Sequence, residues 1–264
     1  MQKTTQKLYV LVKAYPQPSD KYGETVCCAG ITAEGKFLRL YPIPYRDLNP
    51  EQQFNRFDHV EMSLWKSETD SRPESFKVDP ESIKIHKKGN KLPKQEQVKL
   101  WLPFVATSFA QLKDDNQEKR QSLGIVRPDE GSISFVYKPI KEQSDEDQSY
   151  ANQCYKQMSL FNDSPLTHLK ADYCFSYKFT SNKIAHEMKI HDWEVQATYY
   201  NYKKKYGIDT LLKMKEMYEN IIPNQNIHLI MGTAKARPWQ FMIIGVLRTT
   251  QNLKMIDAQG SLFD

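Results

Sequence analysis

The chain lacks a Gly-rich phosphate loop, a Gly-x-Ser-x-Gly elbow and a dinucleotide fingerprint. Those absences leave no sequence signal for a P-loop enzyme, an α/β-hydrolase or a Rossmann oxidoreductase. Its four cysteines, Cys27, Cys28, Cys154 and Cys174, show no Cys-x-x-Cys spacing. Cys27 and Cys28 are adjacent in a strand-like run and so point to opposite faces. This predicts reduced thiols in a cytoplasmic protein, with no disulfide framework. No stretch approaches the roughly 18 consecutive apolar residues of a membrane helix. The first residues, MQKTTQKLYVLVKAYP, are polar and then alternate, unlike a signal peptide.

What is present suits one large domain or two modest ones: 264 residues, 39% hydrophobic and 12% aromatic, with 15 Tyr, 12 Phe and 4 Trp as bulky packing groups. The net charge of +5 is compatible with nucleic acid but too small to argue for it alone.

The pattern predicts an α+β chain. Residues 1–140 read as a small β-barrel-like domain with a helical outer layer. Strands are expected at Leu8–Tyr15, Glu24–Ile31, Lys36–Tyr41, His59–Lys66 and Ser75–Val78, separated by Gly and Pro turns. The proline-rich Tyr41–Leu48 reads as a loop displaying Tyr45 and Arg46. Residues 89–140, with a helix at Thr107–Arg120 and a strand at Ser132–Tyr137, are assigned to this first domain. A polar linker follows over 141–166, then an α+β domain over 167–250 and a tail over 251–264. In the second domain, Tyr173–Thr180 and Ala185–Ile190 are expected to pair. Asp192 caps a helix ending at Gly207, and a second helix starts near Thr210. Ile227–Thr233 and Phe241–Leu247 are nearly continuous apolar runs, so they read as a short sheet buried on both faces. The segment between them, Ala234–Gln240, reads as a charged loop.

Two pentapeptides stand out. Gln157-Met158-Ser159-Leu160-Phe161 and Gln259-Gly260-Ser261-Leu262-Phe263 both read Gln-x-Ser-Leu-Phe. Leu and Phe offer adjacent apolar anchors and Gln a register-fixing amide. The first copy lies in the polar linker and the second in the tail, where composition and position favour exposure. The pattern resembles the peptide by which bacterial polymerases and repair proteins dock onto the DNA sliding clamp. That resemblance implies the clamp as a partner, through Gln157, Ser159, Leu160 and Phe161 and through Gln259, Ser261, Leu262 and Phe263. The alternative is that both Leu-Phe pairs pack on their own domain.

Over most of its length the chain also resembles a family of uncharacterised bacterial proteins. The carrying residues are Gly30–Leu48, Arg72–Ser75 with Asp79, Ser122–Pro128, His186–Glu194, and Gly232-Thr233 with Gly245. The resemblance implies a domain layout and no reaction. It also implies cysteines ahead of His186 that would build a metal knuckle. Here only Cys174 lies in that region, and Cys174, His186 and His191 lack a fourth ligand, so no metal site is assigned.

Two chemistries remain. Glu187 and Lys189 form a Glu-x-Lys pair; with Asp192 and Glu194 they make a candidate Mg²⁺-dependent nuclease centre. Asp192 reads equally as a helix cap, with Glu194 placed well for the helix dipole. Nucleic acid is the other candidate partner, through Arg39, Tyr45 and Arg46 in the first domain and Lys203, Lys204, Lys235, Arg237 and Trp239 in the second. The cations would neutralise phosphates and an aromatic ring would stack on an unpaired base. The expected function is a DNA-associated accessory protein recruited to the sliding clamp, in repair, mobile-element maintenance or phage defence. The alternatives are a clamp-recruited nuclease and a non-catalytic reader of modified or single-stranded nucleic acid.

Overall fold

The structure is a computed structural model and describes residues 3–140, 172–222 and 226–249. Its first half is a closed barrel. Strands β1 (Thr4–Lys13), β2 (Gln17–Ser19), β3 (Gly23–Ile31), β4 (Phe37–Ile43), β5 (His59–Lys66), β6 (Ser75–Val78) and β7 (Lys84–Lys87) form it with its flanking ribbon. The order around the barrel is β1-β3-β4-β6-β5 and back to β1. Every pairing in this ring is antiparallel except β4 with β6. A five-stranded ring with that order and one parallel step is an OB-type barrel.

Strict alternation fills its interior. On β5, Val60, Met62 and Leu64 point inward while His59, Glu61 and Ser63 do not. On β1 the register shifts between Val10 and Val12. This bulge breaks the alternation: Leu8 and Val10 face the barrel core, and Leu11 and Val12 are both buried against the second domain. Cys28 lies in the barrel core and Cys27 on the other face, beside Arg39.

Strand β4 runs on through Pro42 to Ile43, where the composition predicts a loop. Pairing with β6 involves only Arg39 and Leu40. Pro42 lies beyond it and sacrifices no ladder bond on that side. Tyr45 follows in a short 3₁₀ turn and is buried in the barrel core.

Helix α1 (Lys94–Lys99) leads into the second domain, which comprises β8 (Val105–Ala106), α2 (Phe109–Lys119), β9 (Leu123–Val126), β10 (Ser134–Pro139), β11 (Tyr173–Ser181), β12 (Ile184–Lys189), α3 (Trp193–Tyr206), α4 (Thr210–Lys215), β13 (Ile227–Ala234) and β14 (Arg237–Arg248). The sheet order is β14-β13-β9-β8, with a second sheet β10-β11-β12. β8, β9 and β10 thus pair with second-domain strands, whereas the sequence pattern groups residues 89–140 with the barrel. Nothing local in a short strand announces a partner a hundred residues downstream.

Strand β13 is buried along nearly its whole length, as its apolar run predicts. The loop expected at Ala234–Gln240 shrinks to a two-residue turn, because Arg237–Gln240 continue β14. An aromatic group anchors this core: Phe135 stacks on Phe175 and Tyr218 at 5.4 and 5.2 Å between centroids.

The two domains share a continuous apolar seam. Leu11, Val12, Ala29 and Ile31 of the barrel pack with Trp101, Leu123, Ile125, Ile230 and Ile244. No helix among the described residues is long and apolar enough to cross a membrane.

Candidate functional site

OB-type barrels usually read oligonucleotides on the face of their second and third strands. In this chain those are β3 and β4, and the second domain covers that face. Arg39 on β4 is buried, donating through Nη2 to Ser122 O at 3.0 Å and lying beside Cys27 Sγ at 3.9 Å. Burial depresses its pKa, and neighbouring Cys27 opposes the shift. Arg72, also buried, is clamped by Asp70 and donates to Thr233 O across the seam. Glu74 accepts from Ser122 N at 2.8 Å and Ser122 Oγ at 2.9 Å. The polar side chains of this face therefore fasten the domains together.

Tyr45 packs on Phe54 and Trp193 and takes a hydrogen bond from Lys13 Nζ at 2.8 Å. Lys13 also lies 4.0 Å above the Tyr45 ring. Burial pushes the Lys13 ammonium down and the Tyr45 hydroxyl up. Arg46 is fastened to Glu24 through Nε and Nη2, and Glu24 is itself buried. Of the three barrel residues expected to meet nucleic acid, Arg39 and Tyr45 lie inside the protein and Arg46 is held by a buried carboxylate.

The four residues of the expected metal centre divide between two environments. Glu187 sits on β12 opposite Lys178, with its carboxylate 3.4 Å from Lys138 Nζ and 3.8 Å from Lys178 Nζ. Lys189 follows on the same strand face and is exposed. Asp192 is the N-cap of α3 and is buried. Its Oδ1 accepts from Glu194 N at 2.9 Å and its Oδ2 from Val246 N at 3.1 Å. Arg56 Nη2 approaches the same Oδ2 at 3.0 Å, while Nη1 donates to Val246 O at 2.7 Å. Burial pushes the Asp192 carboxyl up, against the pull of Arg56. Burial also disfavours charge on Arg56, but the carboxylates of Asp192 and Glu194 outweigh it and hold the guanidinium protonated. Asp192 is thus both cap and interdomain anchor. Among the described residues, no group of three His, Cys, Asp or Glu side chains is placed to hold a metal ion.

Around this anchor the seam opens into a cleft of about 600 Å³. One wall comes from the barrel: residues 55–58, Lys88–Asn90 and α1. The other comes from the first turns of α3, the π-helical turn Glu216–Ile221 and the end of β14. Residue patterning misses this site. Arg56 and Val246 lie 190 positions apart, and neither belongs to a local motif.

The β13–β14 hairpin is different. Trp239 is 69% exposed, the largest exposure among the described aromatic residues. Lys235 at the turn and Arg237 on β14 are exposed beside it in sequence. Lys235 Nζ reaches Thr69 Oγ1 at 3.0 Å and Arg237 Nη1 reaches Gln240 Oε1 at 3.3 Å, so neither of these contacts neutralises charge. Lys203 and Lys204 are exposed in the last turn of α3, where cations suit the helix dipole. Lys203 pairs with Asp172 at 2.6 Å. Both Gln-x-Ser-Leu-Phe peptides lie outside the described residues.

Residues 4–103 match a family described as Domain of unknown function (DUF8758), and residues 105–264 match one described as Domain of unknown function (DUF8757). The chain belongs to the DUF8757 family. The DUF8757 region opens at β8 and so contains the sheets, the hairpin and both pentapeptides, while the barrel and α1 form the DUF8758 region. No curated protein matches the chain. Among solved structures, it is similar to "Crystal structure of Ifi202 HINa domain in complex with 20bp dsDNA" at 10% identity and a TM-score of 0.32, covering 94% of this chain and 96% of that one. It is also similar to "Structural mimicry for functional antagonism" at 9% identity and a TM-score of 0.32, covering 92% and 88%.

Proposed function

We propose that this protein contacts nucleic acid through the β13–β14 hairpin and is recruited to the bacterial DNA sliding clamp by its two Gln-x-Ser-Leu-Phe peptides. The observation that carries the proposal is Trp239, a large ring left in water with Lys235 and Arg237 on the same hairpin. An exposed indole with cations on the same hairpin suits an unpaired base, which stacks on the ring while the cations meet neighbouring phosphates. The face that an OB-type barrel ordinarily offers to an oligonucleotide is covered by the second domain, which favours a site on the second domain itself.

The clamp half of the proposal rests on the peptide pair, residues 157–161 and 259–263. Two copies on one chain, meeting a ring with two pockets, would let the second contact benefit from the effective concentration set by the first.

The first test is binding of a labelled single-stranded oligonucleotide, followed by anisotropy across a salt series. Trp239→Ala is expected to weaken binding by about 1–3 kcal/mol, the worth of one stacked base. Replacing Lys235 and Arg237 by Ala should flatten the salt dependence by about 0.7 in log–log slope for each phosphate no longer neutralised. Binding that Trp239→Ala leaves untouched would remove the hairpin from the proposal. The second test is binding to a purified bacterial sliding clamp. It compares the intact chain with a variant carrying Leu160→Ala, Phe161→Ala, Leu262→Ala and Phe263→Ala. Equal binding by both, or none by either, would end the clamp reading.

A further inference from the structure

The cleft at the domain seam has no part in the hairpin or clamp reading, and it is built like a ligand site. Its volume of about 600 Å³ falls within the range of roughly 300–1,000 Å³ typical of small-molecule sites. Such sites favour domain interfaces. Val195, Met217 and Ile222 give it an apolar wall.

Two buried polar atoms lining it make no hydrogen bond with any described residue. One is Thr249 Oγ1, on a residue that is 4% exposed. The other is Arg56 Nε, which has Glu194 Oε1 3.2 Å away without hydrogen-bond alignment. An unsatisfied buried polar group is costly, so it is retained where something else satisfies it. At the rim, Lys94 and Arg248 are exposed, and no described carboxylate pairs with either. The lining also contains two departures from regular backbone: Phe57 at φ 66 and the π-helical turn that carries Met217 and Tyr218. Both kinds of departure cost energy and recur at functional sites.

We propose that this cleft binds a nucleoside phosphate, with Lys94 and Arg248 holding the phosphate and the apolar wall taking the base. Thr249 Oγ1 and the Glu194 carboxylate then meet hydroxyl and amine groups of the sugar and base. A bare anion would use the rim and leave the apolar wall wet. A phosphorylated aliphatic chain would cover the wall but leave the buried Thr249 Oγ1 unpaired at a cost. The nucleoside phosphate unit can come from a free nucleotide or from one nucleotide of a bound strand.

The test is equilibrium binding of the full chain to a panel of mononucleotides and to a short single-stranded oligonucleotide. Inorganic phosphate serves as competitor. Two variants accompany the intact chain: the double variant Lys94→Ala with Arg248→Ala, whose exposed side chains contribute little to folding, and Thr249→Val. The expected result is saturable binding that weakens by about tenfold or more in the double variant, weakens in Thr249→Val, and resists inorganic phosphate. Binding of a mononucleotide identifies a free nucleotide as the source. Binding of the oligonucleotide alone, with the same sensitivity to both variants, identifies a strand. No saturable binding of either probe, binding that neither variant alters, or displacement by an equal concentration of phosphate would overturn the proposal. Trp239→Ala keeps the two sites separable, because it removes the hairpin ring and leaves the cleft intact.

Discussion

Acid should destabilise this protein through His228, by an amount that follows from its surroundings. The residue sits on β13 and is 1% exposed, with its ring edge-on to Trp101 at 4.8 Å and Nδ1 3.2 Å from Asn226 O. Burial depresses its pKa from 6.5 to about 4; the Asn226 carbonyl opposes this and the Arg127 charge adds to it. A depressed folded-state value means that the unfolded chain binds the proton first as pH falls. The stability contributed by neutral His228 is therefore complete above the unfolded value of 6.5 and drains away as pH drops toward about 4. A gap of about 2.5 units at about 1.36 kcal/mol each amounts to roughly 3 kcal/mol. His228→Asn keeps an amide donor near the position of Nδ1 and does not titrate. It should cost about 1–2 kcal/mol at pH 7, because no ring then packs against Trp101. Urea unfolding at half-unit steps from pH 7 to pH 4 checks this. The wild-type curve should fall more steeply than that of the variant, losing about 3 kcal/mol more across the range, so the curves cross and the variant, the less stable at pH 7, becomes the more stable near pH 4. Two parallel curves would show that His228 is not held neutral, and the reasoning would fail.

Removing the guanidinium in Arg56→Met strands a buried Asp192 carboxylate, and chemical denaturation should report a loss of about 3–5 kcal/mol. Asp192→Ala should be comparably harmful to the fold: it deletes the α3 cap, worth about 1 kcal/mol, and also leaves the interdomain guanidinium without its partner. A folded Asp192→Ala protein of undiminished stability that had lost a metal-dependent cleavage activity would instead revive the nuclease reading. Gly30→Ala would drive a Cβ to within 2.6 Å of Tyr9 O, a backbone atom that cannot swing aside, and should lower stability by about 1–3 kcal/mol in thermal melts. Trp239→Ala should leave stability within about 0.5 kcal/mol of wild type, since the ring packs mainly against water.

What could be read from the residues alone divides along a physical line. Strands β5 and β6 are found to the residue, because alternation and turn signals are local properties. The Asp192 cap and the stop at Gly207 are legible for the same reason. Local pattern cannot say which partner a strand face meets. Arg39 and Arg46 look like solvent-facing cations until Ser122 and Glu24 are brought beside them. Tyr45, which reads as a displayed ring, is a core side chain of the barrel. The bulge at Val10–Val12 hides the most consequential feature of β1. By letting Leu11 and Val12 both turn outward, it supplies apolar surface to the seam without weakening the barrel core.

The same line separates the two candidate sites. The hairpin is legible because its charge and its aromatic ring lie within five positions, Lys235 to Trp239, on one exposed turn and strand. The cleft is invisible in the sequence because it is made by stacking: its walls come from segments spread between Asn55 and Thr249, joined only when Arg56 reaches Asp192 and Val246. That geometry couples the cleft to the cohesion of the two domains. Arg56 and Asp192 line the cleft and also fasten the seam, so a ligand seated there would bridge the two walls. Anything that binds the joined state alone must also stabilise it, by about 2.7 kcal/mol at a hundredfold excess over its dissociation constant. Ligand binding at the seam should therefore appear as a rise in the unfolding midpoint that the hairpin variant retains and the Lys94, Arg248 double variant loses.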